Sequence, residues 1–136
     1  MLTRQADIVY RDQHVTAFIC SHFFKRNAGH SLVIPNAHYE SIYSLPQELG
    51  ARISVVTKSV ALGLKTAFNC DGVTVWQTNE PAGGQTVWHY HVHVIPRFTD
   101  DRYYENLAIS DTTYTVMEPE QRAALAVRLR RELERM

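Results

Sequence analysis

Three histidines alternate with other residues in the segment 85–97. Successive side chains of a β-strand point to opposite faces, so a strand here places His89, His91 and His93 on one face, roughly 6 to 7 Å apart. The opposite face carries apolar side chains, which are Trp88, Tyr90, Val92 and Val94. Since those residues let the strand join a core, we expect the imidazoles to remain available for chemistry.

Three interpretations of this histidine row are open at this point. A lone histidine is usually a surface or satisfied core residue, which makes a polar stripe the simplest interpretation. Neutral imidazoles also bind zinc, but no Cys-x-x-Cys, His-Glu-x-x-His or His-x-His-x-Asp pattern accompanies the row. Three histidines in register favour the third interpretation, a catalytic site.

The composition argues against several classes of protein. The chain has 136 residues with 14 basic and 14 acidic side chains, so no net charge favours nucleic acid or an anionic membrane. No segment approaches the length of a membrane span, and residues 1–12 lack the apolar region of a signal peptide. We interpret Cys20 and Cys70 as reduced thiols, and these features together predict a cytoplasmic protein.

The elements that must position the histidines begin with two short strands, 8–10 and 15–19, which predict a hairpin. Residues 21–29 predict a loop, because they carry Lys25 and Arg26 and end in a glycine. A strand over 30–35 follows, and His30 stands at its start.

A long helix is predicted next. Ser44 and Gln47 form a capping-box pattern, and Pro46 suits the first turn. Apolar residues then recur every three or four positions until a stop signal at 69–72, and they are Leu49, Ile53, Val56, Val60, Leu64 and Ala67. This apolar stripe can cover one face of a sheet.

Two further segments complete the prediction. A strand over 72–78 leads to a turn with glycines at 83 and 84, whose N–H groups can point toward an anion. From Pro119 onward, leucines at every fourth position predict a C-terminal amphipathic helix whose arginines form a solvated face. The sequence therefore predicts an α+β fold: a five-stranded antiparallel sheet with a long central helix and a C-terminal helix.

Two motifs resemble those of the histidine triad (HIT) family. Residues 84–97 resemble its signature of three histidines separated by single apolar residues. Residues 29–38 resemble its Gly-His-x-Leu-Val-Ile-Pro-x-x-His element. The resemblance covers residues 8–97 and implies one HIT-like domain over 1–136, with 98–136 as a C-terminal extension.

The resemblance implies a nucleotide hydrolase or transferase that cleaves at the α-phosphate. The substrates would be nucleoside phosphoramidates, dinucleoside polyphosphates or similar conjugates. His91 is then the nucleophile and forms a covalent nucleotidyl-histidine intermediate, without a metal or other cofactor. His89 and His93 orient His91 and contact phosphate, His93 assists protonation of the leaving group, and His30 completes the cluster.

The same resemblance implies a nucleotide-binding set. Gln85 and Thr86 approach the phosphate, N–H groups near Gly84 receive its oxygens, and Asn79 lies in the same turn. From the residues alone, other roles stay open, because Gln85 can fix the turn, Thr86 can favour a strand and Asn79 can satisfy backbone groups.

The residues that would bind the nucleoside are less clearly indicated by the sequence. Many family members carry an Asp at the end of the second strand, where this chain has Cys20 and Ser21. Two alternatives follow for the nucleoside: Asn27 or Ser21 binds the ribose, or apolar contacts hold it. The apolar candidates are Phe18, Phe23 and Leu32.

The resemblance also implies a homodimer, in contact through the terminal helix or a sheet edge, and no nucleic-acid partner. Two alternative functions remain: a nucleotide-sensing module with weak turnover, and a metal-dependent enzyme built on the histidine cluster. We expect His14, His22 and His38 to be surface residues.

Overall fold

Five strands form one antiparallel sheet in the computed structural model, which describes residues 4–108 and 114–136. In spatial order they are β1 (Ile8–Arg11), β2 (Val15–Ile19), β4 (Ser31–Pro35), β6 (Val92–Arg97) and β5 (Gly72–Trp76). The antiparallel pairing confirms the predicted α+β architecture. The two outer strands are β1 and β5.

A small second sheet corrects the prediction of a loop over 21–29. It pairs β3 (His22–Phe24) with β7 (Tyr114–Val116). Phe23 and Phe24 are buried, and the Phe24 ring packs edge-on against Tyr103 in the short helix α2 (Tyr103–Ala108). Burial of two aromatic side chains outweighs the polar residues that follow them.

The long helix α1 (Gln47–Phe68) covers one face of the sheet, as predicted. Its buried apolar side chains are Ile53, Val56, Val60 and Leu64. The capping box is wrong, because Pro46 is the N-cap residue and the Ser44 hydroxyl donates to the Ser41 carbonyl instead. The predicted stop is confirmed by Asn69, which has a left-handed φ of 51°.

The C-terminal helix α3 (Pro119–Glu134) packs against α1. Gly63 permits this approach, because a Cβ there would lie 2.8 Å from the Cδ1 atoms of Leu129 and Leu133. None of the helices in residues 4–108 and 114–136 is long and apolar enough to span a membrane.

The arginines of α3 are not simply the solvated face that the sequence predicts. Arg122 is buried and its Nε donates to Oδ2 of Asp7 at 3.2 Å. Nη2 of Arg130 donates to the Ile8 carbonyl at 2.6 Å, and Arg128 donates to a carbonyl near the end of α1. These arginines attach α3 to β1 and α1.

The faces of the sheet determine what surrounds the triad. On β6, Val92 and Val94 belong to the core cluster that α1 covers. His93 therefore points to the opposite face, directly across from Leu32 on β4 and Trp76 on β5. Phe18, the partner of Leu32 on β2, lies on that same face.

Candidate active site

The three histidines do not share one strand, contrary to the prediction. Only His93 lies in β6; His89 lies in a bend, and His91 immediately precedes the strand. The β4–β6 pairing stops at Val92, and Pro35, further along β4, has no N–H with which to extend it. Trp88 also departs from the prediction, since it is 47% exposed rather than part of the core.

His91 is buried, with 6% of its surface exposed. Its Nδ1 lies 2.7 Å from the backbone carbonyl of His89. Because a carbonyl oxygen can only accept a hydrogen bond, Nδ1 carries the hydrogen and donates it. The neutral His91 ring then keeps a free lone pair on Nε2, which is the form that a nucleophile requires.

His30 and His93 form a second buried contact. His30 Nε2 lies 2.9 Å from His93 Nδ1, which joins the start of β4 to β6. Burial, together with the nearby charges of His93 and His91, lowers the pKa of His30 to about 3. Burial and His91 lower the pKa of His93 to about 4. At neutral pH both rings are therefore uncharged, and one proton lies in the bond between them.

His89 contacts a residue that the sequence analysis left at the surface. His89 Nε2 donates to the Pro35 carbonyl at 2.9 Å, which leaves its Nδ1 3.3 Å from Nδ1 of His38. His38 is exposed, as predicted, but it also extends the histidine cluster. Its position at the end of the Gly-His-x-Leu-Val-Ile-Pro-x-x-His element was the signal that could have identified it.

Three N–H groups of the glycine turn are bonded within the turn. The N–H groups of Gly83 and Gln85 donate to the Glu80 carbonyl, and that of Gly84 donates to the Pro81 carbonyl, each at 3.0 Å. Gly84 does adopt a positive φ of 99°, which glycine tolerates. Because these N–H groups are already bonded within the turn, none of the three is free for a phosphate oxygen.

Gln85 and Asn79 are bonded to the backbone of neighbouring segments. Gln85 is 4% exposed, and its Nε2 donates to the carbonyls of Glu40 and Val87. Asn79 Oδ1 accepts from the N–H of Ile42 at 2.7 Å. These contacts fit the structural roles that the sequence left open for both side chains.

Thr86 differs from these neighbours. Its side chain is exposed, and its hydroxyl makes no hydrogen bond to any residue that the structure describes. Thr86 is therefore available to an incoming phosphate.

The apolar candidates for nucleoside binding lie beside the triad. Phe18 and Leu32 are buried and pack with Ile8 on the sheet face that carries His93. Asn27 is 0% exposed and donates to the Pro96 carbonyl and to Asp101, so it is unavailable for a ribose. Ser21, whose side chain is partly exposed, remains the polar candidate beside the apolar ones.

Comparison with known proteins identifies the family. The HIT domain model matches residues 2–100. An uncharacterised HIT-like protein of Methanocaldococcus jannaschii is 41% identical over 97 residues, which cover 71% of this chain and 72% of that protein. Protein hit of Bacillus subtilis is 36% identical over 90 residues, covering 66% of this chain and 61% of its own length. The chain thus matches about two thirds of the length of these relatives.

A relative with a named activity matches a shorter segment. An adenylylsulfatase of Arabidopsis thaliana is 32% identical over 69 residues, which cover 51% of this chain and 35% of that protein.

Solved structures resemble nearly the whole chain. A hypothetical histidine triad nucleotide-binding protein of Sulfolobus tokodaii has a TM-score of 0.79 and 28% identity, covering 95% of this chain and 84% of its own. A zinc-bound histidine triad family protein of Mycobacterium smegmatis has a TM-score of 0.75 and 26% identity, covering 97% of this chain and 86% of its own.

Proposed function

The chain belongs to the histidine triad family, and we propose that it cleaves nucleotide conjugates at the α-phosphate through a covalent adduct on His91. The substrates are nucleoside phosphoramidates, dinucleoside polyphosphates or related conjugates, and the acceptor is water or another nucleophile. The named relatives support this proposal, since one is an adenylylsulfatase and another is a nucleotide-binding protein. No cofactor takes part in the proposed reaction.

One observation carries the proposal: the hydrogen bond from His91 Nδ1 to the His89 carbonyl. The free lone pair of Nε2 attacks the α-phosphorus, so a P–N bond forms while the bond to the leaving group breaks. Water then attacks the same phosphorus, and the P–N bond breaks to return neutral His91.

His93 can donate a hydrogen bond to the leaving group and so ease its protonation. When His30 Nε2–H donates to His93 Nδ1, the neutral His93 ring must carry its own hydrogen on Nε2. The low pKa of the imidazolium makes this neutral form the stable one at pH 7. The hydrogen bond from this Nε2–H stabilises the leaving group, which takes its proton from solvent, and the attacking water of the second step returns a proton to solvent.

The test is a panel of nucleoside phosphoramidates and dinucleoside polyphosphates, read by intact-mass detection of a nucleotidyl adduct. We expect an adduct and a burst of leaving group with the wild type, and neither with His91→Ala. His14→Ala is the matched control, because it removes an exposed imidazole that contacts none of the cluster. Binding of nucleoside monophosphates without adduct or turnover would instead identify a nucleotide-sensing module.

A metal-dependent enzyme is the second candidate, and one distance favours it. The 3.3 Å between Nδ1 of His38 and Nδ1 of His89 suits two ligands of a tetrahedral zinc ion. However, the described residues provide no group of three or more His, Cys, Asp or Glu side chains able to hold a metal. We expect turnover to survive chelation, and loss of activity with EDTA that zinc restores would favour this alternative.

A homodimer and a cytoplasmic location are further proposals. Of the two outer strands, β1 contacts α3 and has the carbonyl of Ile8 bonded by Arg130. The other edge, β5, carries Val75 with 54% of its surface exposed. The β5 edge is therefore the better candidate for contact between two copies of the chain.

A further inference from the structure

A short segment, residues 38–42, crosses the loop that leads into the triad. We call it the strap. Four of its residues contact residues 79–90, which we call the triad loop. The His38 ring contacts the His89 ring, and the Tyr90 N–H donates to the Tyr39 carbonyl. Gln85 Nε2 donates to the Glu40 carbonyl, and the Ile42 N–H donates to Asn79 Oδ1.

The backbone around His91 depends on these contacts, because it lies outside the sheet. Strand pairing with β4 ends at Val92. The N–H of Tyr90 donates to the Tyr39 carbonyl at 2.6 Å and so fixes the His89–Tyr90 peptide, which carries the His89 carbonyl. The His89 carbonyl that orients the nucleophile is thus held by the strap rather than by a strand ladder.

Gln85 makes three side-chain hydrogen bonds in this arrangement. Its Nε2 donates at 2.6 Å to the Glu40 carbonyl and at 3.0 Å to the Val87 carbonyl. Its Oε1 accepts at 2.7 Å from the N–H of Glu80. A phosphate oxygen needs a donor, and both N–H groups of the Gln85 amide are already used.

We propose that Gln85 and Asn79 are positioning residues, which hold the strap against the triad loop and thereby orient His91, and that the Gln85 side chain does not contact the phosphate. The proposal rests on the proposed function for its kinetic readout. It assigns Gln85 a role different from the substrate contact that its place beside the signature implies.

Gln85→Glu tests the first residue while keeping the length of the side chain. The carboxylate loses both donors and faces two carbonyl oxygens, so the strap is pushed away. We expect kcat to fall roughly 10- to 100-fold, the effect of misplacing a catalytic group by about 1 Å. KM should change less than about twofold, and the loss should be equal for amine and nucleotide leaving groups.

Asn79→Ala tests the second residue. It removes the acceptor for the Ile42 N–H, so the strap should loosen. Thr57→Val is the control for lost stability, because it removes a buried hydrogen bond in α1 only.

One measurement is independent of turnover. Amide hydrogen exchange at Tyr90 should be at least about tenfold faster in Gln85→Glu and Asn79→Ala than in the wild type or Thr57→Val. Unchanged exchange in both variants, or a raised KM or a leaving-group-dependent loss in Gln85→Glu, would overturn the positioning role. An inactive wild type with the expected exchange pattern would refute the proposed function and leave the strap contacts supported.

Discussion

The buried pair of His30 and His93 predicts that the protein loses stability on mild acidification. Burial lowers the pKa of His30 to about 3 and that of His93 to about 4, whereas an unfolded histidine has a pKa of about 6.5. As pH falls below 6.5, the unfolded chain therefore binds protons that the folded protein cannot accept. The stabilisation that comes from keeping both rings neutral is complete above pH 6.5. It decreases as pH falls toward the pKa values of the two rings in the folded protein.

The magnitude can be worked out for the interval from pH 7 to pH 5. Both folded pKa values lie below this interval, so the result depends mainly on the unfolded pKa. Each histidine then accounts for roughly 2 kcal/mol, and the pair for about 4 kcal/mol, of the free energy of unfolding. Since small proteins have roughly 5 to 15 kcal/mol of stability, the loss is large enough to measure.

Urea denaturation at several pH values between 7.5 and 5 measures this loss. His30→Gln removes one of the two titrating rings, so the slope of unfolding free energy against pH should decrease by about 1.2 kcal/mol per pH unit near pH 5.5. His14→Gln removes an exposed ring and should leave the slope unchanged. Equal slopes for the wild type and His30→Gln would refute the assignment of two neutral buried imidazoles.

Two further predictions concern stability and assembly. Asp101 is buried and accepts hydrogen bonds from Arg97 Nε and from Asn27. Asp101→Asn should therefore lower the free energy of unfolding by roughly 3 kcal/mol, measured by urea denaturation. A loss below about 1 kcal/mol would contradict this expectation. Light scattering should give the mass of two chains for the wild type and of one chain for Val75→Lys at the β5 edge; an unchanged dimer in the variant would exclude that edge.

The sheet and the central helix could be predicted because their signals are local and repeated. The apolar residues of α1 recur with the helical period, and its end at Asn69 follows from a residue that tolerates a left-handed φ. The strands β2 and β4 are short apolar runs bounded by polar turns. In these elements the local preference and the burial of side chains favour the same conformation.

The beginning of α1 shows where a local motif is insufficient. Ser44 and Gln47 have the spacing of a capping box, but the Ser44 hydroxyl bonds back to Ser41, and Pro46 has the extended φ and ψ of the N-cap. The residues before Pro46 are turned by contacts with the triad loop, such as that of Ile42 with Asn79. A contact between residues 37 positions apart has no local signal.

The histidines could be identified from the sequence, but the conformation of the backbone that carries them could not be predicted. Alternation with a period of two does not indicate where pairing ends, and the end depends on Val33 and Pro35 in another strand. The same limitation applies to Arg122, whose partner Asp7 lies 115 positions away. Helical periodicity alone assigns such an arginine to solvent.

The HIT domain match ends at residue 100, whereas the packing of the core continues into α3. Ala126 and Leu129 of α3 are completely buried against the rest of the chain, and Arg122 neutralises a carboxylate near the first strand. Truncation at the end of the recognisable sequence would remove the counter-charge of Asp7 and would expose the side of α1 at Gly63. We therefore expect a chain that ends at residue 100 to be less stable than the full chain.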